Sequence, residues 1–96
     1  MQRRISLNPL SCIFLPEIDR KNKFTTIIYN PDSERIIKVN NNGYKILKAL
    51  DENPQVRFEK LLGLVSNRLK KQPWQIESEV SSFIKQMTKE NVIQTT

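Results

Sequence analysis

The side-chain chemistry available to this chain is thin, because histidine is absent and Cys12 is the single cysteine. A structural zinc site takes about four Cys, His or acidic ligands at defined spacings, and an iron–sulfur cluster takes about four thiolates. Neither set is available, so no metal and no other cofactor is expected. A lone thiol closes no internal disulfide, which suits a reducing compartment. No imidazole is present to draw off its proton. The expected role of Cys12 is that of a small buried apolar side chain.

Two carboxylate pairs to weigh are Asp32 with Glu34 and Asp51 with Glu52. Both pairs fall in expected turns, where exposed acids are ordinary. The chain has no glycine-rich phosphate loop, no metal motif and no nucleophile–base pair. Catalysis by this chain alone is not expected.

Charge says more about partners. Sixteen Lys and Arg against ten acids give a net charge of +6, which favours an anionic partner, either nucleic acid or an acidic peptide. Ninety-six residues, 38% of them apolar, make one domain with one core. A chain this short has little room for a deep substrate cavity as well. Arg3 and Arg4 precede a stretch broken by Ser6, Asn8, Pro9 and Ser11, so it does not read as the unbroken apolar run of a signal peptide. No stretch approaches the roughly 18 apolar residues of a membrane span. A cytoplasmic protein with no membrane partner is expected.

The elements that must position these residues read as strands first, helices second. Residues 1–11 are polar and basic, and a flexible N-terminus is expected there. The domain then runs over 12–93. Cys12-Ile13-Phe14-Leu15 is a short apolar run that suits an edge strand, limited by Pro16. Phe24 to Tyr29 is rich in β-branched and aromatic residues. Asn30-Pro31-Asp32-Ser33 has turn chemistry, and Arg35 to Val39 reads as the return strand. Ile37 and Val39 share one face of that strand, Ile36 and Lys38 the other.

Asn40 is the expected N-cap of a first helix over about 42–50, with Ile46, Leu47 and Leu50 on its apolar stripe. A second helix over about 58–70 carries Phe58, Leu61, Leu62, Val65 and Leu69. Pro73 opens a third helix, whose stripe is Ile76, Val80, Phe83, Ile84 and Met87. Asn91 is placed to end it in the left-handed conformation, after which Val92 and Ile93 pack back. The fold class is therefore α+β: an antiparallel sheet of two to three N-terminal strands followed by three helices, the order of a winged helix-turn-helix.

Taken together, Ile27-Ile28-Tyr29-Asn30-Pro31, Arg35-Ile36-Ile37-Lys38-Val39-Asn40, Gly43 and Ile46-Leu47 resemble the PqqD-like pattern, a hairpin ending in an aliphatic-Asn pair with a small residue opening the next helix. Leu61-Leu62, Pro73, Ile76, Val80, Phe83-Ile84 and Met87 follow at that family's spacing. The likeness spans about residues 12–93. The chain departs from the pattern in three loops. Its hairpin turn lacks the common glycine, Asn53-Pro54 stands where glycine is frequent, and Asn91 replaces the usual glycine after the third helix.

This resemblance implies a precursor-peptide recognition element. Such a domain binds the leader segment of a ribosomally made peptide and presents it to a modifying enzyme, often a radical-SAM protein. It implies that the leader adds as a strand beside Arg35–Val39, in a groove shared with the third helix. The expected peptide-binding residues are Arg35, Ile36, Ile37, Lys38, Val39, Val80, Phe83, Ile84 and Met87.

The residues themselves suit that role. A sheet edge offers unpaired N–H and C=O groups to another chain. Arg35 and Lys38 suit acidic leader residues, while Ser81 and Thr88 are small enough to leave space beside Ile84. On pattern alone, the apolar residues of the third helix serve equally well as plain core. Trp74 reads either as a partly exposed packing residue or as a contact with the partner enzyme. An exposed edge strand also leaves open a homodimer by strand exchange.

The alternative is a winged-helix DNA binder, which net charge and element order favour. Its recognition helix should bring basic and amide side chains to the groove from its first turns. The third helix instead opens Trp74-Gln75-Ile76-Glu77-Ser78-Glu79, with two acids and no base. Peptide binding without nucleic acid is the expectation.

Overall fold

The computed structural model describes residues 4–13, 17–18, 24–31 and 34–95. In chain order, β1 (Arg4–Leu7), β2 (Cys12–Ile13), β3 (Glu17–Ile18), β4 (Phe24–Asn30) and β5 (Arg35–Val39) precede α1 (Asn41–Glu52). Then come β6 (Val56–Arg57), α2 (Phe58–Leu69), α3 (Pro73–Lys89) and β7 (Ile93–Thr95). The expected α+β class and its three helices are present. Phe14, Leu15, Pro16, Asp32 and Ser33, assigned above to the first strand and the hairpin turn, lie outside the described residues.

The hairpin of β4 and β5 is antiparallel, from Thr26 opposite Val39 to Asn30 opposite Arg35. Ile28 pairs with Ile37 on one side and with Ile13 of β2 on the other, so β2 and β5 flank β4. Alternation along β4 turns Thr26, Ile28 and Asn30 inward, all three buried, and leaves Thr25, Ile27 and Tyr29 half-covered. Glu34, just before β5, takes φ 55°. That left-handed conformation favours glycine, so a glutamate there costs on the order of 1 kcal/mol.

Cys12 is exposed rather than buried. It pairs with Tyr29 on the outer face of the sheet, and the pleat turns its neighbour Ile13 toward the core instead.

The N-terminus also departs from expectation. Residues 4–7 form the central strand of a second sheet, ordered β6-β1-β7. Ile5 is buried among the core residues, and Asn8 is 5% exposed. The backbone N–H of Asn8 donates to Val92 O at 2.8 Å and its Nδ2 to Asn91 O at 2.8 Å, while its Oδ1 accepts from Leu10 N at 3.1 Å. The folded unit therefore begins by Arg4, not at residue 12. Its Arg-Ile-Ser-Leu alternation finds partners only in β6 and β7, far along the chain.

The helices form where caps and stripes place them. Asn40 Oδ1 accepts from Gly43 N at 2.8 Å, as expected of an N-cap. Lys70 ends α2 in the left-handed conformation, φ 56°. Pro73 follows Gln72, whose N–H donates to Gln75 Oε1 at 2.9 Å, half of a capping box. Asn91 takes φ 60° after α3, as its position suggests. Ile46, Leu47 and Leu50 of α1 meet Leu61 and Val65 of α2 and Ile76, Val80 and Met87 of α3 in one core, all nearly inaccessible to solvent. Ile28 brings the sheet into that core.

Candidate functional site

Among the described residues β5 pairs only with β4, so its other edge is open. Its inward side chains are Arg35, Ile37 and Val39, set by their partners Asn30, Ile28 and Thr26. Ile36 and Lys38 point to the opposite face, and Ile36 is 67% exposed.

The helix beside this strand is α3. At one end of the seam between them, Asn42 Nδ2 donates to Glu79 Oε1 at 3.1 Å. At the other, Arg35 Nη1 lies 3.3 Å from Glu90 Oε2, and Asn30 Nδ2 donates to Glu90 O at 2.9 Å. α3 therefore runs opposite to β5, its early turns beside the end of the strand and its last turn beside the start. Phe83 sits between these two links. A Cβ on Gly43 would lie 2.8 Å from Phe83 Cε2 and 3.1 Å from Val39 Cβ, so α1, β5 and α3 converge here with no room for a side chain at residue 43.

The nine residues expected to bind peptide do not all reach this surface. Arg35 to Val39 form the open strand as expected. Val80, Ile84 and Met87 are 1%, 7% and 1% exposed, buried beneath the seam rather than lining it. Phe83, half-buried, is the member of the stripe that reaches the surface. At about 100° per residue, Thr88 lies about 140° around the helix from Phe83, and Ser81 about 160°. Both sit on the far flank, where Thr88 Oγ1 donates to Ile84 O at 2.7 Å. The space expected beside Ile84 is therefore not on the side that meets β5.

The flank that does meet β5 carries Glu79, Phe83, Gln86 and Glu90. Their i, i+4, i+7, i+11 spacing was visible in the sequence, one step around the helix from the apolar stripe. Glu90 already occupies Arg35, while Lys38, the other base of the strand, makes no ion pair among the described residues. The seam is thus an apolar centre with a polar link at each end, open along one strand edge.

Among the described residues no three His, Cys, Asp or Glu side chains gather as metal ligands. No described helix is long and apolar enough to cross a membrane. Glu52 has its carboxyl held below the ordinary glutamate range by Arg68, through a two-pronged contact at 2.8 and 3.3 Å and through its charge. That pair ties α1 to α2, away from the seam. The first turns of α3 expose Trp74, Glu77 and Glu79, so the helix that would enter a DNA groove presents acids.

A family profile described as coenzyme PQQ synthesis protein D (PqqD) matches residues 25–93. Among curated proteins no relative matches. Among solved structures, the solution NMR structure of the PqqD truncation of Methylobacterium extorquens PqqCD is similar with a TM-score of 0.66 at 14% identity, covering 95% of this chain and 88% of that one. That truncation is described as a functional, stand-alone recognition element for ribosomally synthesised and post-translationally modified peptides. At such low identity this likeness speaks for the fold alone. The profile match, which takes in β4, β5 and all three helices, carries the kinship: the chain belongs to the PqqD family.

Proposed function

We propose that this chain is a non-catalytic recognition module that binds the leader segment of a ribosomal precursor peptide by strand addition at β5. It presents that peptide to a modifying enzyme of radical-SAM type in the cytoplasm. The frame is a winged helix-turn-helix put to peptide rather than DNA recognition, with α2 and α3 joined by three residues, 70–72. The observation that carries this reading is an open aliphatic strand edge beside Phe83 in a chain of the PqqD family.

Energetics assign the work within the site. Each backbone hydrogen bond nets about 0.5–1.5 kcal/mol, and ordering each peptide residue costs about 1–2 kcal/mol. Strand pairing alone therefore comes close to zero, so side chains must supply affinity. On this surface they are Ile37 of the strand and Phe83 of the helix, because Val39 is as buried as Ile84. Val80, Ile84 and Met87 support Phe83 from below. Lys38, on the outer face, meets an acidic residue of the added strand.

Titration calorimetry with the cognate leader tests the site. Phe83→Ala should weaken binding by roughly tenfold, the scale of a hot-spot truncation, with the fold retained by circular dichroism. Phe83 is a better probe than Ile84, whose burial confounds binding with folding. An unchanged affinity in a folded Phe83→Ala variant places the site elsewhere.

A further inference from the structure

A second surface lies on the outer face of α2 and the turn into α3. A shallow depression of about 650 Å³ runs along Lys60, Gly63, Leu64, Asn67, Lys70 and Lys71 and ends at Pro73. Trp74, the next residue, is 76% exposed. None of Lys60, Lys70 and Lys71 takes part in an ion pair among the described residues, whose acid-base contacts are Arg35–Glu90, Lys48–Asp51 and Arg68–Glu52.

Gly63 is the telling residue. It lies within α2, where glycine costs roughly 0.5–1 kcal/mol relative to alanine. Its φ is not positive, so the backbone does not require it. Beyond its chain neighbours and the backbone of its own helix, no heavy atom lies within 4 Å of where its Cβ would be, so no packing neighbour requires it either. What the missing side chain provides is a bare stretch of helix, flanked by lysines, that an outside chain can approach closely.

We infer that this face docks an acidic segment with one large apolar anchor, carried by the enzyme that modifies the bound peptide. This rests on the recognition-module reading above. The lysines supply charge complementarity, while Trp74 and Leu64 supply the apolar contact, tryptophan being favoured at interface hot spots. Glu59 and Glu77 are exposed on the same two helices and interrupt the positive surface. A continuous phosphate backbone would meet them, whereas a protein segment can place its charges between them. The site is also separate from β5. It takes α2 and the first residues of α3, Pro73 and Trp74, whereas the peptide seam takes β5 and the flank of α3 from Glu79 to Glu90.

The test is NMR titration of the isotopically labelled full chain with three probes. These are a short peptide of glutamates flanking one leucine, its lysine-for-glutamate counterpart, and a short DNA duplex. The acidic peptide should shift the amides of Gly63, Asn67, Lys70 and Lys71 and the Trp74 indole, while the β5 amides stay in place. The paired change Lys70→Glu with Lys71→Glu, and separately Trp74→Ala, should each weaken that binding roughly tenfold or more. Both variants should bind the cognate leader as the parent does.

Shifts confined to β5, equal binding of the lysine peptide, or tighter binding of the duplex at these residues would overturn the assignment. So would folded variants that bind the acidic peptide unchanged. Loss of leader binding in Phe83→Ala is read separately, so failure of one surface is distinguishable from failure of the other.

Discussion

Replacing Gly43 with alanine sets two effects of opposite sign against each other. Alanine is favoured over glycine within a helix by about 1 kcal/mol. Against that, the new Cβ would stand 2.8 Å from Phe83 Cε2 and 3.1 Å from Val39 Cβ, closer than carbon atoms pack. Overfilling a packed contact costs typically about 1–3 kcal/mol. Val39 is held in the hairpin, so the Phe83 ring has to yield. The net expectation is a loss of about 0–2 kcal/mol, together with displacement of the ring that faces β5. Gly63→Ala is the control, because nothing outside its own helix backbone and chain neighbours lies within 4 Å of its Cβ position. It keeps the helical gain alone, about 0.5–1 kcal/mol of stabilisation. In a domain of this size 1 kcal/mol moves Tm by roughly 4–8 °C, so thermal melts resolve the two variants. Leader binding should weaken in Gly43→Ala and hold in Gly63→Ala. If Gly43→Ala is stabilised as much as Gly63→Ala and binds the leader normally, the convergence of α1, β5 and α3 on Phe83 is not as described.

Three further outcomes follow from other parts of the molecule. Asn8→Ala removes the side-chain bonds to Asn91 O and Leu10 N and should cost about 1–3 kcal/mol, the range for losing a buried hydrogen-bonding group; urea unfolding measures it. The Glu52 carboxyl, lowered by Arg68, should titrate by NMR at a pH below that of an ordinary glutamate and return upward in Arg68→Ala. Because its folded pKa is depressed, the pair's small contribution to stability is present above the unfolded glutamate pKa and is lost as pH falls through the folded one. Cys12 should react stoichiometrically with a thiol reagent in the native protein without any unfolding step, since it is exposed; protection until denaturation would place it in the core instead.

How much of this was legible in the sequence depends on how far each residue's partners lie along the chain. The helices were readable because their stripes and caps are local: Asn40 lies three residues from the N–H it accepts, and Pro73 sets its own φ. The β4–β5 hairpin was readable for the same reason. β1 was not, because a strand of two apolar and two polar residues gains its identity only from β6 and β7. Cys12 departs from the burial usual for a lone cysteine because Cys12 and Ile13 face opposite sides of the sheet. The site was half legible. An apolar stripe tells which side of α3 is covered, but not which member stands at its margin. Phe83 stands there because Gly43 leaves it space, and Glu90 reaches Arg35 because α3 and β5 run in opposite directions. The left-handed turns at Glu34 and Lys70 carried no glycine to announce them.

The pairing of β1 with β7 also orders events in time. Ser6 lies opposite Gln94, so forming that contact closes a loop of nearly the whole chain. The length-dependent entropy of such a closure is about 4 kcal/mol, against roughly 1 kcal/mol for the short turn between Asn30 and Arg35. The hairpin and the helices can therefore assemble while the N-terminal strand is still searching. On a ribosome β1 can meet β6 about fifty residues of synthesis after its own, but its pairing with β7 must wait for nearly forty more. The edge that receives the peptide belongs to the early-forming part of the molecule, and the clasp between the two ends closes last.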